Sequence, residues 1–169
     1  MFRPALVALV LAMAAPAAAA PAPKVSISDY AQLKTPLPYP YDEAANADAA
    51  LDRALARAKA SGKLVLIDLG GNWCGDCRIL AATMALPEMK RFIGRHFELV
   101  TVDVGRFDRN LQIPARYGIT NRLEGVPALL VVDPKTGRQL VGRQQVAALS
   151  DARHMRPQAL ADWIAQWTR

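Results

Sequence analysis

Residues 73–77, Trp-Cys-Gly-Asp-Cys, contain the only two cysteines of this chain of 169 residues. Cysteines three positions apart at the start of a helix lie on one face of its first turn, so their sulfur atoms can meet. A disulfide across so short a loop restricts the unfolded chain very little and is a weak structural staple. The spacing of Cys74 and Cys77 therefore favours reversible redox chemistry.

Metal binding is the alternative for a pair with this spacing. A structural zinc ion needs four ligands, and only His96 and His154 could join the two thiolates. The separation of these histidines from the cysteines and from each other matches no zinc-finger spacing. We therefore expect no metal and no other cofactor, because disulfide exchange needs only the two thiols.

A buried strand is predicted immediately before the cysteines. Residues 64–69 form a continuous apolar run that only Asp68 interrupts, which is typical of a central strand. Gly70 and Gly71 lead from it into a helix that begins with the cysteine motif and extends to about Ala85. The motif is therefore expected where a helix begins at the end of a central strand.

The start of a helix favours an ionised cysteine, because backbone N–H groups there are unpaired and the positive end of the helix dipole lies there. Cys74, at the exposed end, is expected to be the nucleophile. Cys77, one turn further, is expected to resolve the mixed disulfide and release the reduced substrate. Trp73 offers a flat apolar surface for a docking polypeptide, although it could equally be a packing residue.

The remaining pattern predicts an α/β fold. Strand–helix–strand alternation followed by a hairpin and a closing helix implies a mixed β-sheet flanked by helices on both faces. Predicted helices cover residues 46–61, 88–95, 111–117 and a segment that starts near Pro157, and predicted strands cover residues 97–104 and 127–132. A turn at residues 133–137 leads to an antiparallel return at 138–142, and residues 25–27 form a short edge strand.

Residues 1–19 have the features of a secretory signal peptide. Arg3 supplies positive charge, residues 5–15 are apolar, and Ala17 and Ala19 fit the small-residue pattern for cleavage after Ala19. The apolar run is short for a membrane span, which favours removal over anchoring. Export would place the mature chain in the periplasm, an oxidising or redox-managed compartment.

Residues 20–45 are rich in proline and alanine, and we expect an extended linker or a strap on the domain. Residues 46–169 are long enough for one domain with its own core. The formal net charge is +6, and the basic residues are scattered rather than clustered. That distribution gives little support to nucleic-acid binding, and we expect a monomer.

Together these elements resemble the thioredoxin superfamily over residues 44–167. The resemblance is carried by the strand at 65–68, the Trp-Cys-Gly-x-Cys motif, Arg-Tyr-Gly-Ile at 116–119, and Val126-Pro127 before an apolar strand. It implies that Pro127 is a cis-proline facing the cysteines and that the backbone of Val126 pairs with a substrate. A trans proline at the start of a strand is the alternative.

The resemblance also implies that Asp68 is the buried acid found six residues before the first cysteine. Burial raises the pKa of a carboxyl group, which would suit proton exchange with Cys77. The alternative is an acid that backbone donors satisfy and that has no kinetic role.

Three features depart from common thioredoxin. Asp76 stands where proline is usual, and its charge opposes ionisation of Cys74. Gly75 and Asp76 are therefore expected to tune the redox potential of the pair towards the reducing side. The segment 120–125 is longer than usual and should reshape the rim of the substrate groove, whereas residues 144–156 have no role that the sequence assigns.

The sequence thus predicts an exported thiol–disulfide oxidoreductase that reduces protein disulfides. A disulfide oxidase or isomerase is the alternative within the same chemistry, and a non-catalytic binding or chaperone module with this fold is a third. The expected partners are disulfide-bonded protein substrates and an electron donor that presents a thiol at the membrane or outside the cytoplasm.

Overall fold

A computed structural model of the protein describes residues 18–168, with a three-stranded sheet of order β2-β1-β3 at its centre. The strands are β1 (Leu64–Gly70), β2 (Phe97–Asp103) and β3 (Ala128–Val132). The α-helices are α1 (Ala47–Ser61), α2 (Gly75–Met84), α3 (Pro87–His96), α4 (Gln112–Ala115) and α5 (Pro157–Ala165). Short 3-10 helices cover Tyr30–Gln32, Arg143–Gln145 and Ala152–His154.

The described residues include only the last two positions of the predicted signal peptide, so this prediction lies almost wholly outside them. Within residues 18–168, no helix is both long enough and apolar enough to cross a membrane.

β1 is the central strand, and every one of its residues is buried. It pairs in parallel with β2, where Leu64 lies opposite Phe97, and antiparallel with β3, where Asp68 lies opposite Leu129. A strand that is buried along its whole length needs cover on both faces of the sheet. α1 packs against β1 and β2, and α3 packs against β2. The predicted α/β fold, a mixed sheet flanked by helices, is confirmed.

The connection from β1 to α2 is short and places the cysteines at the end of the central strand. The backbone N–H of Cys74 donates to the Gly71 carbonyl at 3.0 Å, which closes the turn between the two elements. Leu80 and Met84 bury one face of α2 in the core. α3 starts at Pro87, where the missing backbone N–H costs nothing because the first turn of a helix leaves that donor unpaired.

The segment before α1 lies against the domain, and we call residues 20–45 the N-terminal strap. The backbone N–H of Ala20 donates to Thr168 Oγ1 at 2.6 Å. Further along, the Val25 N–H donates to Gln158 Oε1 at 3.1 Å. The Ser26 N–H donates to Glu88 Oε1 at 2.7 Å. Side chains of α5 and α3 thus accept the donors of Val25 and Ser26, so residues 25–27 form no strand and the predicted edge strand is wrong.

The antiparallel return predicted at residues 138–142 forms, but as a single bridge and not as a strand. The turn itself forms, because the Gly137 N–H donates to the Asp133 carbonyl at 2.8 Å. Beyond it, Val132 and Gln139 make a single antiparallel bridge. The chain then leaves the sheet at Val141, and the 3-10 helix at Arg143–Gln145 follows.

Candidate active site

Cys74 and Cys77 form a disulfide at the amino terminus of α2, with their Cα atoms 5.3 Å apart. Cys74 is the N-cap residue, and its Sγ accepts the backbone N–H of Cys77 at 3.1 Å. The sequence places Cys74 at an exposed helix end, but the residue is only 5% exposed, against 0% for Cys77. Cys74 therefore lies at the floor of a groove, and Cys77 lies behind it in the core.

The groove above Cys74 has a volume of about 450 Å³. Val126 contributes to its floor, and its carbonyl oxygen lies 3.4 Å from Cys74 Sγ. The Val126–Pro127 peptide bond is cis. The remaining lining residues belong to the motif, to the loop after β2, to the connection before β3 and to the region before α5: Trp73, Gly75, Asp76, Phe107, Glu124, Gly125, Ser150 and Arg153.

Trp73 forms one wall of the groove and is both exposed and fixed. The residue is 44% exposed, while its Nε1–H donates to the Gly105 carbonyl at 2.7 Å. The Phe107 ring packs edge-on at 6.2 Å between centroids, and the Arg106 guanidinium lies 4.8 Å from the indole centre. The packing interpretation of Trp73 thus describes how its ring is held, while the residue also lines the groove.

Asp68 is fully buried in the central strand β1. Its Oδ1 accepts the Tyr41 hydroxyl at 2.9 Å, and its Oδ2 has no hydrogen-bond partner among residues 18–168. Burial raises the pKa of the Asp68 carboxyl to about 7, although the hydrogen bond from Tyr41 lowers it. The Asp68 carboxyl thus accepts its hydrogen bond from a side chain of the N-terminal strap and not from backbone donors.

Gly70 explains how three groups fit together at this point. A Cβ atom at Gly70 would collide with the Tyr41 hydroxyl and would lie 2.9 Å from Cys77 Sγ. Side chains two positions apart on a strand project from the same face, so Asp68 points to the side on which Tyr41 and Cys77 lie. Only glycine leaves the space that these groups occupy.

Asp76 makes a bidentate ion pair with Arg153, which the 3-10 helix at Ala152–His154 carries. Arg153 Nη2 lies 2.8 Å from Asp76 Oδ2, and its Nε lies 3.0 Å from Oδ1. The Arg153 backbone N–H also donates to Oδ1 at 2.9 Å. Burial opposes ionisation of Asp76, but these hydrogen bonds and the charge of Arg153 outweigh it and hold its pKa below the usual range.

This ion pair changes the role that the sequence gives to Asp76. From the sequence alone Asp76 is an isolated anion beside Cys74, whereas in the structure a guanidinium compensates its charge. Gly75 makes room for that contact, because a Cβ there would lie 3.0 Å from Arg153 Nη2. The segment 144–156, which has no role by sequence, supplies this partner. The segment 120–125 reaches the rim of the groove through Glu124 and Gly125.

No group of three or more His, Cys, Asp and Glu residues within 18–168 is arranged to hold a metal ion. The two histidines have separate surroundings. His96 packs against Phe92 at the end of α3, and burial lowers its pKa. His154 Nδ1 lies 2.6 Å from an Asp151 carboxylate oxygen.

Sequence reasoning missed three side chains of the site, namely Tyr41, Phe107 and Arg153. Tyr41 stands among prolines in a segment that reads as a linker, and Arg153 stands in a stretch with no regular hydrophobic period. Phe107 lies in the loop after β2, whose sequence is mostly polar, and its backbone has a positive φ of 69°. For these residues, no local signal points to the cysteines.

Comparison with known proteins agrees with this geometry. A family model described as thioredoxin-like matches residues 46–134. The thioredoxin H-type of Oryza sativa subsp. indica is 42% identical over 52 residues, 31% of this chain and 42% of that protein. The thioredoxin of Alicyclobacillus acidocaldarius subsp. acidocaldarius is 34% identical over 85 residues, 48% of this chain and 70% of that protein.

Among solved structures, a disulphide isomerase from Xylella fastidiosa Temecula1 is similar, with 38% identity and a TM-score of 0.70. The match covers 77% of this chain and 97% of that one, whereas the chain spans less than half the length of the rice thioredoxin. The fold, the disulfide of α2 and these likenesses define a thiol–disulfide oxidoreductase. The chain belongs to the thioredoxin-like family.

Proposed function

We propose that the protein is an exported reductase of protein disulfides. The charge around Cys74 is the observation that supports electron flow from the cysteine pair to the substrate. The described groove lining contains two carboxylates, Asp76 and Glu124, and one guanidinium, Arg153, which Asp76 already binds. Such a lining does not stabilise the Cys74 thiolate strongly, and a weakly stabilised thiolate favours a reducing pair over an oxidising one.

The reaction begins when the Cys74 thiolate attacks a disulfide of the substrate. A bond forms between Cys74 Sγ and one substrate sulfur, and the other substrate sulfur leaves as a thiolate. Cys77 then loses its proton and attacks Cys74 Sγ, which forms the Cys74–Cys77 disulfide and releases the second substrate thiolate. The substrate gains two electrons and the cysteine pair loses two. A thiol donor must then reduce the pair.

The burial of Cys77 requires a nearby proton acceptor for the second step. A thiol in the core ionises poorly because its charge is desolvated. Burial raises the pKa of Asp68 to about 7, and its Oδ2 has no hydrogen-bond partner among residues 18–168. We assign Asp68 the role of accepting the Cys77 proton as the resolving thiolate forms.

Substrate would bind along the groove in an extended conformation. The Val126 backbone lies beside Cys74, so a substrate strand could pair with it while its cystine meets the nucleophile. Trp73 and Phe107 would contact side chains next to that cystine. This geometry supports a polypeptide substrate over a small thiol.

Export is supported by residues 1–19, whose charge, apolar run and small residues fit a signal peptide. The donor would then be a thiol protein at the membrane or in the periplasm. Cell fractionation together with the mass of the processed chain tests this part. A chain that keeps residues 1–19 and stays in the cytoplasm would contradict it.

The direction of electron flow is tested by equilibration with glutathione. We expect a potential well below about −200 mV, faster reduction of insulin than a small thiol alone achieves, and little reactivation of a scrambled-disulfide protein. A potential near about −120 mV, typical of a strong oxidant, would reject the reductase. Efficient reactivation of the scrambled protein would favour the isomerase.

The Asp76–Arg153 pair gives a matched test of how the potential is set. Asp76→Asn leaves a cation beside Cys74 and should increase its thiolate fraction near neutral pH by about threefold to tenfold. Arg153→Gln leaves an unpaired carboxylate and should lower that fraction by a similar factor. Thiolate absorbance at 240 nm against pH measures both. Equal titrations in the two variants would show that the pair does not tune Cys74.

A further inference from the structure

The N-terminal strap is attached on both sides of the cysteine pair. Asn72, two residues before Cys74, accepts the Tyr41 N–H through Oδ1 at 3.1 Å and donates from Nδ2 to the Tyr41 carbonyl at 2.7 Å. Arg78, directly after Cys77, donates to the Leu37 and Pro38 carbonyls at 2.6 and 3.0 Å. The strap backbone is therefore held in register with the first turn of α2.

This attachment brings the Tyr41 side chain into the core. Tyr41 is 2% exposed, and its hydroxyl donates to Asp68 Oδ1 at 2.9 Å. A Cβ on Gly70 would lie 2.6 Å from Tyr41 Cζ and 2.9 Å from Cys77 Sγ, so ring and sulfur flank the same small space. Asp68, Tyr41 and Cys77 thus meet on one face of β1.

We propose that Tyr41 is a positioning residue for the resolving step, and that the strap is thereby part of the active site. Its hydroxyl occupies Asp68 Oδ1 and leaves Oδ2 as the oxygen that takes the proton from Cys77. This role rests on the function proposed for Asp68. The proton leaves Cys77 Sγ, Oδ2 receives it, and the sulfur keeps the electron pair with which it attacks Cys74 Sγ.

Tyr41 acts in this arrangement as a fixed donor and does not itself give up a proton. Burial and the neighbouring carboxylate of Asp68 raise its pKa far above the usual range, and Asp103 of β2 adds to that effect. The titratable groups around Asp68 are therefore Tyr41 from the strap and Cys77 from α2, with Asp103 acting on Tyr41. A phenol that keeps its proton stabilises the ionised carboxylate through one directed hydrogen bond.

Tyr41→Phe tests the role in the full chain, with Tyr39→Phe as the matched control. Tyr39 lies on the same strap but is 66% exposed, and its ring lies under the Arg78 guanidinium. The ¹³C shift of the Asp68 carboxyl is followed against pH in the oxidised protein, where no thiol titrates. We expect the midpoint to rise by about one pH unit in Tyr41→Phe and to stay unchanged in Tyr39→Phe.

Kinetics provide the second readout, with 5,5′-dithiobis(2-nitrobenzoate) as the probe. Attack by Cys74 releases the first nitrothiolate, and resolution by Cys77 releases the second. At pH 7 the second phase should slow about fivefold in Tyr41→Phe, because a midpoint one pH unit higher leaves about fivefold less carboxylate. The first phase should be unchanged, and the second should recover at pH 9.

An Asp68 midpoint in Tyr41→Phe equal to that in Tyr39→Phe would overturn the proposal. If Tyr41→Phe folds poorly, Asn72→Ala provides the same test. It keeps the phenol but removes the two hydrogen bonds that hold the Tyr41 backbone, and it should also raise the Asp68 midpoint. Failure of the function proposed for Asp68 has a different result. In that case Asp68→Asn leaves the second phase unaltered, while the titration still decides whether Tyr41 controls the carboxyl.

Discussion

Cys74→Ser is expected to reduce disulfide reductase activity by at least about a thousandfold, because a serine hydroxyl does not ionise to replace the attacking thiolate. Cys77→Ser should instead stop after the first step, since no thiol remains to attack Cys74 Sγ. Substrates then stay bound to Cys74 through a mixed disulfide. Non-reducing electrophoresis followed by mass spectrometry of the captured proteins measures this difference and identifies the substrates.

The matched control is the variant that lacks both cysteines. Both single variants should keep a melting temperature close to that of the oxidised parent, because a disulfide across two intervening residues contributes little loop entropy. Equal capture by Cys74→Ser and Cys77→Ser would show that the residues do not divide the work as assigned. Capture without any cysteine would favour a binding or chaperone module.

Asp68→Asn is expected to stabilise the protein at alkaline pH and to slow the resolving step. The Asp68 carboxyl has a pKa of about 7 in the fold, against 3.8 for an ordinary aspartate. Between these values the folded chain holds a proton that the unfolded chain has lost, so stability falls as pH rises. Above pH 7 the full penalty, on the order of 4 kcal/mol, is present.

Asparagine removes the charge and with it this pH dependence. The gain in the free energy of unfolding should approach about 3 to 4 kcal/mol at pH 9 and nearly vanish at about pH 3, below the ordinary pKa, where both states hold the proton. Urea unfolding at the two pH values measures it, with Asp42→Asn at an exposed strap position as the control. A gain that is equal at both pH values would show that the carboxyl is not the titrating group.

The second nitrothiolate release should be slower in Asp68→Asn at neutral pH, because the amide cannot take the Cys77 proton. Asp68→Asn should therefore raise the free energy of unfolding at alkaline pH and lower the rate of the resolving step.

The central strand, the cysteine motif and the helix after it were predictable because their information is local. An apolar run of strand length, two glycines and a helix-start motif follow one another, and β1 and α2 form almost where expected. The missing strand at residues 25–27 and the shortened return at 138–142 have another origin. A strand needs a neighbouring strand along its length. At residues 25–27, side chains accept the backbone donors instead, and after Gln139 the chain turns away from the sheet.

The site was predictable to the same extent. Cys74, Cys77 and Asp68 lie within ten residues of sequence, and the motif brings them together. Arg153 lies 77 positions from Asp76, and Tyr41 lies 27 positions from Asp68. Charge and aromatic character alone do not specify such pairings, because many other arginines and three other tyrosines could make them. Only the packed fold selects the partner.

The hydrogen bond between Ala20 and Thr168 links the two ends of the described chain. Cleavage after Ala19, as the sequence predicts, would convert the Ala20 nitrogen from an amide into a charged ammonium group that still faces the Thr168 hydroxyl. Maturation would then create a charge-assisted contact at the point where the strap that carries Tyr41 begins. A processed chain that starts at another residue would lack it. Removal of the leader would thus strengthen the attachment of the strap at its first residue, ahead of the part that carries Tyr41.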